Sequence, residues 1–519
     1  MTLLRNAATV GGWAMTSRGL GFIRDVLMAS TIGTGPVAQA FVMAFRLPHL
    51  FRTLLAEGAF NASFVPLFAR RYEGGGFAPA RGMAEDVFGV LFAALLVLTA
   101  LAQMAMPGLM HVLAPGFVGD PERFDLAVAY TRISAPYLLF MTLTAVLGGM
   151  LNSLRRFAAA AAAPIVLNVV MIATLALAAA LDWGNSSFTG YALIWSMSLA
   201  GLFQFFLVAF ACRRAGMGLI LRWPRLTPDV SELLKLALPG LIAGGITQVN
   251  VLISAMIATG MDRAVSYLYY AERLYQLPLG VIGVAIGIVL LPEMARRLRS
   301  GDVEGALANQ NRALEFAMFV TLPATAILTA MPFALTSTFF EHGAFSSADA
   351  AATAAALASF AIGLPAFTLY KVFSPGFFAR SDTKWPMYVA FCSVAFNILG
   401  SLTLPHYLGH IGLALANALA AWVNTGLLAF ILIQRGHYAP DGRLKRRLPR
   451  IVLASAVMAL CLWFGFLAVE PVFLESQPIW LRALATGGLV SAGVACYAIA
   501  SHYLGAMTWT EARRMVRRP

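Results

Sequence analysis

Long apolar stretches follow one another along almost the whole chain, separated by short polar segments rich in Arg, Gly and Pro. Fourteen of them reach the roughly 20 residues that a membrane-spanning helix needs, near 7–31, 37–66, 87–109, 127–151, 158–181, 190–212, 236–259, 265–292, 313–340, 351–379, 385–405, 411–434, 451–470 and 480–505. The runs are continuous, not alternating over short segments, so the pattern predicts helices and argues against a β-barrel. Several are longer than a bilayer is thick, which predicts tilt or bending. The first run is interrupted by Arg18, Arg24 and Asp25 and is too long for a signal peptide, so it reads as a retained first helix.

Composition agrees with this pattern. Of 519 residues 60% are hydrophobic and only 12% charged, with a mean hydropathy of +0.76. A soluble domain carries about 25% charge, so a water-soluble protein is excluded. The 36 Phe and 9 Trp exclude disorder. The net charge of +13 needs a separate account. With the N-terminus placed in the cytoplasm, 27 of the 37 Lys and Arg fall in cytoplasmic segments and 3 (Arg123, Arg263, Arg482) on the opposite side. That asymmetry fixes the orientation, puts both termini in the cytoplasm, and removes nucleic acid as the reason for the basic balance.

Seven basic residues remain inside predicted spans: Arg18, Arg24, Arg46, Arg52, Arg132, Arg273 and Lys371. The clear intramembrane acids are Asp25, Glu57 and Glu272, which leaves an excess of about four positive charges. Each charge near a helix centre costs about 2.5–3.5 kcal/mol, so the excess implies a water-filled cavity and an anionic ligand. Arg132 and Lys371 also fit side chains that reach toward the interface. On straight helices Arg46 and Glu57 share a face with Asn61, Arg18 and Asp25 lie about 20° apart, and Arg18 and Arg24 about 120° apart. Arg273 and Gln276 are neighbours on one face. Asp25 and Glu57 are expected to pair with cavity arginines and act as a gate.

The chain also repeats. Arg46-Leu47, Pro66 and Ala69-Arg70-Arg71 recur as Arg273-Leu274, Pro292 and Ala295-Arg296-Arg297, at offsets of 227, 226 and 226 residues. Pro136, Gly149 and Arg155 recur more loosely as Pro365, Gly376 and Arg380. A period spanning six helices preserves orientation and predicts two pseudo-symmetric six-helix lobes around a central cavity. The lobes cover 1–212 and 236–434, joined by a basic linker at 213–235. A basic loop (435–450), two further spans (451–505) and a basic tail (506–519) complete the chain. Within the linker, 230–234 is expected as an amphipathic helix on the membrane surface.

Enzymatic signatures are lacking. None of the four lysines follows a Gly, so there is no phosphate-binding loop. The four cysteines are scattered through apolar runs, and His406 and His410 have no acid or Cys nearby, so no metal and no cofactor is expected. The intramembrane acids lie on three different spans.

Several motifs resemble a known family. Gly21-Phe22-Ile23-Arg24-Asp25, Phe45-Arg46-Leu47-Pro48-His49-Leu50-Phe51-Arg52, Ala56-Glu57-Gly58-Ala59-Phe60 and Phe64-Val65-Pro66 look like the first two helices of the MurJ (MviN) lipid II flippases. Ala114-Pro115-Gly116-Phe117, Tyr269-Tyr270-Ala271-Glu272-Arg273-Leu274 and Pro375-Gly376-Phe377-Phe378-Ala379-Arg380 are similar to the same family. The resemblance implies the multidrug/oligosaccharidyl-lipid/polysaccharide exporter fold. It implies transport of undecaprenyl-diphosphate-linked peptidoglycan precursor across the bacterial inner membrane by alternating access, without catalysis. It assigns the diphosphate head group to Arg18, Arg24, Arg52 and Arg273, the gate acid to Glu57, and a sensitive position to Ser266; Asp25, Arg46 and Gln276 join as polar cavity residues. Gln39 and Gln276 stand where some relatives carry Asp and Glu, so a mechanism needing those carboxylates lacks them here. The spans in 451–505 are expected to hold the lipid tail. Implied partners are lipid II, the bilayer and the cell-wall synthesis machinery. Energy is expected from the membrane potential or a monovalent cation, with Gln248, Asn250 and Asn397 as polar candidates. The alternatives are a flippase for another lipid-linked sugar, a cation-coupled drug exporter of the same fold, and a membrane enzyme acting on polyprenyl diphosphates.

Overall fold

The computed structural model describes residues 2–53, 59–474 and 477–506, apart from the side chains of residues 2–10, 59, 62, 242, 243, 246, 247 and 281–289. Among these residues the long elements are all helices: α1 (Thr2–Ile32), α2 (Pro36–Phe51), α3 (Ala59–Gly75), α4 (Phe77–Leu113), α5 (Pro121–Ser153), α6 (Ala158–Ala180), α7 (Ser187–Arg214), α8 (Pro228–Thr259), α9 (Ala264–Arg299), α10 (Val303–Ala330), α11 (Pro332–Phe340), α12 (Ser347–Phe378), α13 (Lys384–Thr403), α14 (Pro405–Leu408), α15 (His410–Gln434), α16 (Gly442–Val469) and α17 (Ile479–Tyr503). Residues 1–266 with 343–345 form one compact unit, and 267–342 with 346–519 form another.

Ten described helices are long and apolar enough to cross a membrane. Three of the other four predicted spans also fall in long helices, α1, α8 and α9. α1 carries Arg18, Arg24 and Asp25 in its interior, and α8 and α9 are long but only partly described at side-chain level. The second span is not one continuous described helix, because α2 contains Pro48 and stops at Phe51, and α3 begins at Ala59. The shared face of Arg46, Glu57 and Asn61 assumed an unbroken helix; Glu57 lies outside the described residues.

The sequence repeat reappears as repeated packing. In the first unit α5 packs on α7, α6 on α7 and α4 on α5; in the second α12 packs on α15, α13 on α15 and α10 on α12. Small residues permit these contacts. A Cβ on Gly190 of α7 would lie 2.0 Å from the Tyr130 hydroxyl of α5, and one on Gly363 of α12 would lie 2.8 Å from the Ala418 backbone of α15. Neither neighbour is the free end of a flexible chain, so close helix approach demands glycine there.

The linker differs from expectation. Residues 230–234 are the first turns of α8, which runs unbroken to Thr259, and Val230 and Leu233 are buried in the core of the first unit. They therefore pack against protein instead of lying on the membrane. The preceding loop is clamped to α4 by the buried Glu85, which accepts from the backbone N–H of Ile220 at 3.2 Å and pairs with Arg81 at 2.9 Å and Arg222 at 2.7 Å. A Cβ on Gly89 would come within 2.4 Å of the Arg222 carbonyl, so the loop lies directly on the helix.

A matching clamp holds α16 in the second unit. The chain 435–450, expected as a loop, becomes helical at Gly442, with Asp441 capping α16 by accepting from the Leu444 N–H at 2.7 Å. Glu315 of α10, only 4% exposed, accepts from Arg447 at 2.6 Å, from Arg443 at 3.1 Å and from Arg312. Replacing Glu315 with Ala removes the carboxylate that three arginines share, although Arg312 keeps Asp441. It is expected to cost about 3 kcal/mol, the low end for a broken buried pair because Arg312 and Arg443 keep contact with water. A thermal melt of the purified protein checks this.

Candidate functional site

The residues singled out in the sequence fall in both units. In the first, α1 presents Arg18 and Arg24 on different sides. Arg18 is exposed and has no hydrogen-bond or ion-pair partner among the described residues, whereas Arg24 is 6% exposed. α1 is one unbroken α-helix through Gly19 and Gly21, so helical phase keeps the two about 120° apart around its axis.

Arg24 is held from several sides. Its Nε and Nη2 donate to the same Asp25 carboxylate oxygen at 3.0 and 2.7 Å, and its Nη1 donates to the Asn168 carbonyl oxygen of α6 at 3.1 Å. Its guanidinium lies 5.4 Å from the centre of the Phe45 ring of α2. Asn168 in turn donates to the Ser17 carbonyl at 2.9 Å. A Cβ on Gly21 would sit 3.6 Å from the Asn168 amide, at ordinary van der Waals distance, so α6 lies directly beside α1 there. Arg24 and Asp25 form a buried ion pair, in which each charge makes the other tolerable in a low-dielectric setting. Asn168 was not singled out in the sequence, although it is the one amide in an otherwise apolar span.

Arg46 and Arg52 are half-buried toward the end of α2. The backbone N–H of Arg52 donates to the carbonyls of Pro48 and His49, where α2 stops. Gln39 on the same helix is fully buried, with neither end of its amide hydrogen-bonded to a described residue. Ser266 is fully buried as well, at the start of α9, and is closed to a ligand in this conformation.

In the second unit Arg273 sits on α9, half-buried, with its guanidinium 4.5 Å from the centre of the Tyr269 ring. Its Nη1 donates to the Gln276 carbonyl oxygen at 3.5 Å, and the Gln276 amide donates to Glu272 at 2.7 Å. A neutral amide thus stands between cation and carboxylate. Gln276→Glu would set a charged competitor beside Arg273 and repel Glu272. Binding of an anionic ligand at Arg273 is expected to weaken several-fold, about the effect of a new charge-assisted bond, and a phosphate titration of the native protein against the variant checks this.

Other charges have structural partners. Arg482, expected outside the membrane, is 3% exposed within α17 and pairs with Glu341 at 2.9 Å, while also donating to the Leu474 carbonyl at 2.8 Å. Glu293, just past the predicted eighth span, accepts from Arg296 and Arg297, and these hydrogen bonds hold its carboxyl down at about 2. Its contribution is fully present above the ordinary value of 4.5 and is lost as pH falls toward about 2. The melting temperatures of the native protein and Glu293→Gln are therefore expected to converge over that window.

A sequence profile described as "Lipid II flippase MurJ" matches residues 28–480. A "Probable lipid II flippase MurJ" of Rhizobium meliloti (strain 1021) is 47% identical over 100% of this chain and 97% of its own length. The "Lipid II flippase MurJ" of Burkholderia cenocepacia is 31% identical over 94% of this chain and 95% of its own. Among solved structures, "Lipid II flippase MurJ, inward closed conformation" superposes with a TM-score of 0.79 at 22% identity, covering 98% of this chain and 99% of that one. An inward-facing multidrug resistance MATE family transporter of the MOP superfamily superposes at 0.67 with 15% identity, covering 83% of this chain and 98% of that one.

Proposed function

We infer the function from one premise: the chain belongs to the lipid II flippase MurJ family. It is a multi-pass protein of the bacterial inner membrane, and it flips lipid II, the lipid-linked precursor of peptidoglycan. The observation that carries this reading is the family match over residues 28–480, joined by high identity across the whole chain.

The finer mechanism is our proposal. The termini and the Arg-rich loops face the cytoplasm, in keeping with the 27 to 3 distribution of Lys and Arg. Arg18, Arg24, Arg52 and Arg273 bind the diphosphate through charge-assisted, often bidentate hydrogen bonds. Arg46, Gln276 and the acids Asp25 and Glu57 tune that charge and release it as access alternates between the two sides. Asp25 already stands on Arg24, so the anionic head group has a carboxylate to displace. The polyprenyl tail stays in lipid against α16 and α17, whose outer faces expose Leu460, Phe464, Trp480 and Leu484. An inside-negative potential favours outward movement of an anion by about 2.3 kcal/mol per charge per 100 mV, so neither ATP nor a cofactor is required. The cell-wall synthesis machinery then takes the exported precursor.

The test is reconstitution in vesicles that carry lipid II in one leaflet. The protein is expected to expose lipid II on the other side without any new product. Conversion of the substrate would instead support an enzyme acting on polyprenyl diphosphates.

A further inference from the structure

Two of the seven intramembrane cations, Arg132 and Lys371, belong to no part of this mechanism, and Arg132 lines a cleft. Arg132 of α5 borders a cleft of about 400 Å³ between α4, α5 and α7 in the first unit. That volume lies within the range of about 300–1,000 Å³ of small-molecule sites. Its walls are mostly apolar, from Pro136 and Phe140 of α5 and Leu199 and Leu202 of α7, with Trp195 at one side. Trp195 and Leu199 are exposed on the outer face of α7.

The cation in this cleft is fixed but not neutralised. Arg132 Nε donates to the Gln103 carbonyl of α4 at 3.1 Å, which orients the guanidinium. Among the described residues no carboxylate pairs with it and its two terminal nitrogens have no partner. The Ser198 hydroxyl is already committed to the Ile133 carbonyl at 2.6 Å, so it does not compete.

Three helices place this cation at one level. Gln103 is ten residues before the end of α4, Arg132 eleven after the start of α5 and Trp195 eight after the start of α7. At 1.5 Å per residue these lie about 12–16 Å from neighbouring helix ends. α4 and α5, of 37 and 33 residues, are some 50–55 Å long and overhang a hydrocarbon core of about 30 Å by about 10 Å at each end. Arg132 and Trp195 therefore sit about 6 Å inside the hydrocarbon core, where the exposed Arg132 side chain is long enough to reach the phosphates and Trp lies close to the interface it favours.

We propose that this cleft is a binding site for an anionic membrane phospholipid. The two free guanidinium nitrogens of Arg132 grip its phosphodiester, and one acyl chain lies along Pro136, Phe140, Leu199 and Leu202. An anionic head group answers the uncompensated charge, and the apolar wall answers the chain; a free phosphate would satisfy only the first. The site is separate from the diphosphate arginines and does not depend on their role. With the N-terminus in the cytoplasm, as proposed above, the end of α4 and the start of α5 face the opposite side, which places the site in the outer leaflet.

Native mass spectrometry of the full-length protein, released from micelles containing phosphatidylglycerol or phosphatidylcholine, tests the site without lipid II. The native protein is expected to retain phosphatidylglycerol over phosphatidylcholine. Arg132→Gln is expected to lose that preference by about tenfold, the effect of a charged hydrogen bond. Leu199→Trp, which fills the cleft but keeps the cation, is expected to lose it too, so the proposal stays testable if Arg132→Gln folds poorly. Equal retention of phosphatidylglycerol by the native protein and a folded variant overturns the proposal. The vesicle assay for lipid II described above reports separately on flipping, so failure of one reading is distinguishable from failure of the other.

Discussion

Arg18→Ala should leave the melting temperature of the protein unchanged and abolish its capacity to sustain growth as the sole flippase. Arg18 is exposed and bonds to no described residue, so its side chain contributes little to the fold. Surface substitutions away from special features stay within about 0.5 kcal/mol. An arginine gripping a diphosphate gains its value only with the ligand present, through hydrogen bonds worth about 1.5–3 kcal/mol to charged groups. Loss of stability together with function would mean that Arg18 is a packing residue. Normal growth at normal abundance would remove it from the site. Membrane abundance by immunoblot, a melt in detergent and growth complementation decide among these outcomes.

Arg24→Ala should behave in the opposite way and fail on both counts. It leaves Asp25, 2% exposed, as a buried carboxylate without its guanidinium partner. Breaking a buried pair from one side costs about 3–5 kcal/mol, enough to unfold a marginally stable protein. The double variant Arg24→Ala with Asp25→Asn removes both charges and should recover most of that stability. Flipping should remain lost in the double variant, because the cation that meets the diphosphate is still missing. Recovery of flipping along with stability would show that Arg24 serves only to hold α1, α2 and α6 together.

The contrast between these arginines shows how far a sequence can be read. Period and phase placed Arg18 and Arg24 on different sides of one helix, and α1 is a single unbroken helix across both. The repeat was legible as well, since motifs some 227 residues apart correspond to matching helix pairs such as α5 with α7 and α12 with α15. What escaped was the long-range partner. Asn168 reaches Arg24 from a helix 144 residues away, and no local pattern encodes that meeting. Glu315 escaped for the same reason, because its arginines come from the start of α16. Counting charges by span assigned those arginines wholly to topology, whereas several are also structural clamps. The phase argument for Arg46 and Glu57 runs through residues 54–58, which lie outside the described residues.

These distinctions matter only if the protein moves lipid II, and depletion tests that most directly. Cells are depleted of the protein, and lipid II is then probed from outside the inner membrane. The account predicts that lipid II accumulates in the inner leaflet and disappears from the outer one before growth stops. Continued appearance of lipid II in the outer leaflet at the normal rate, with no other flippase present, would contradict it.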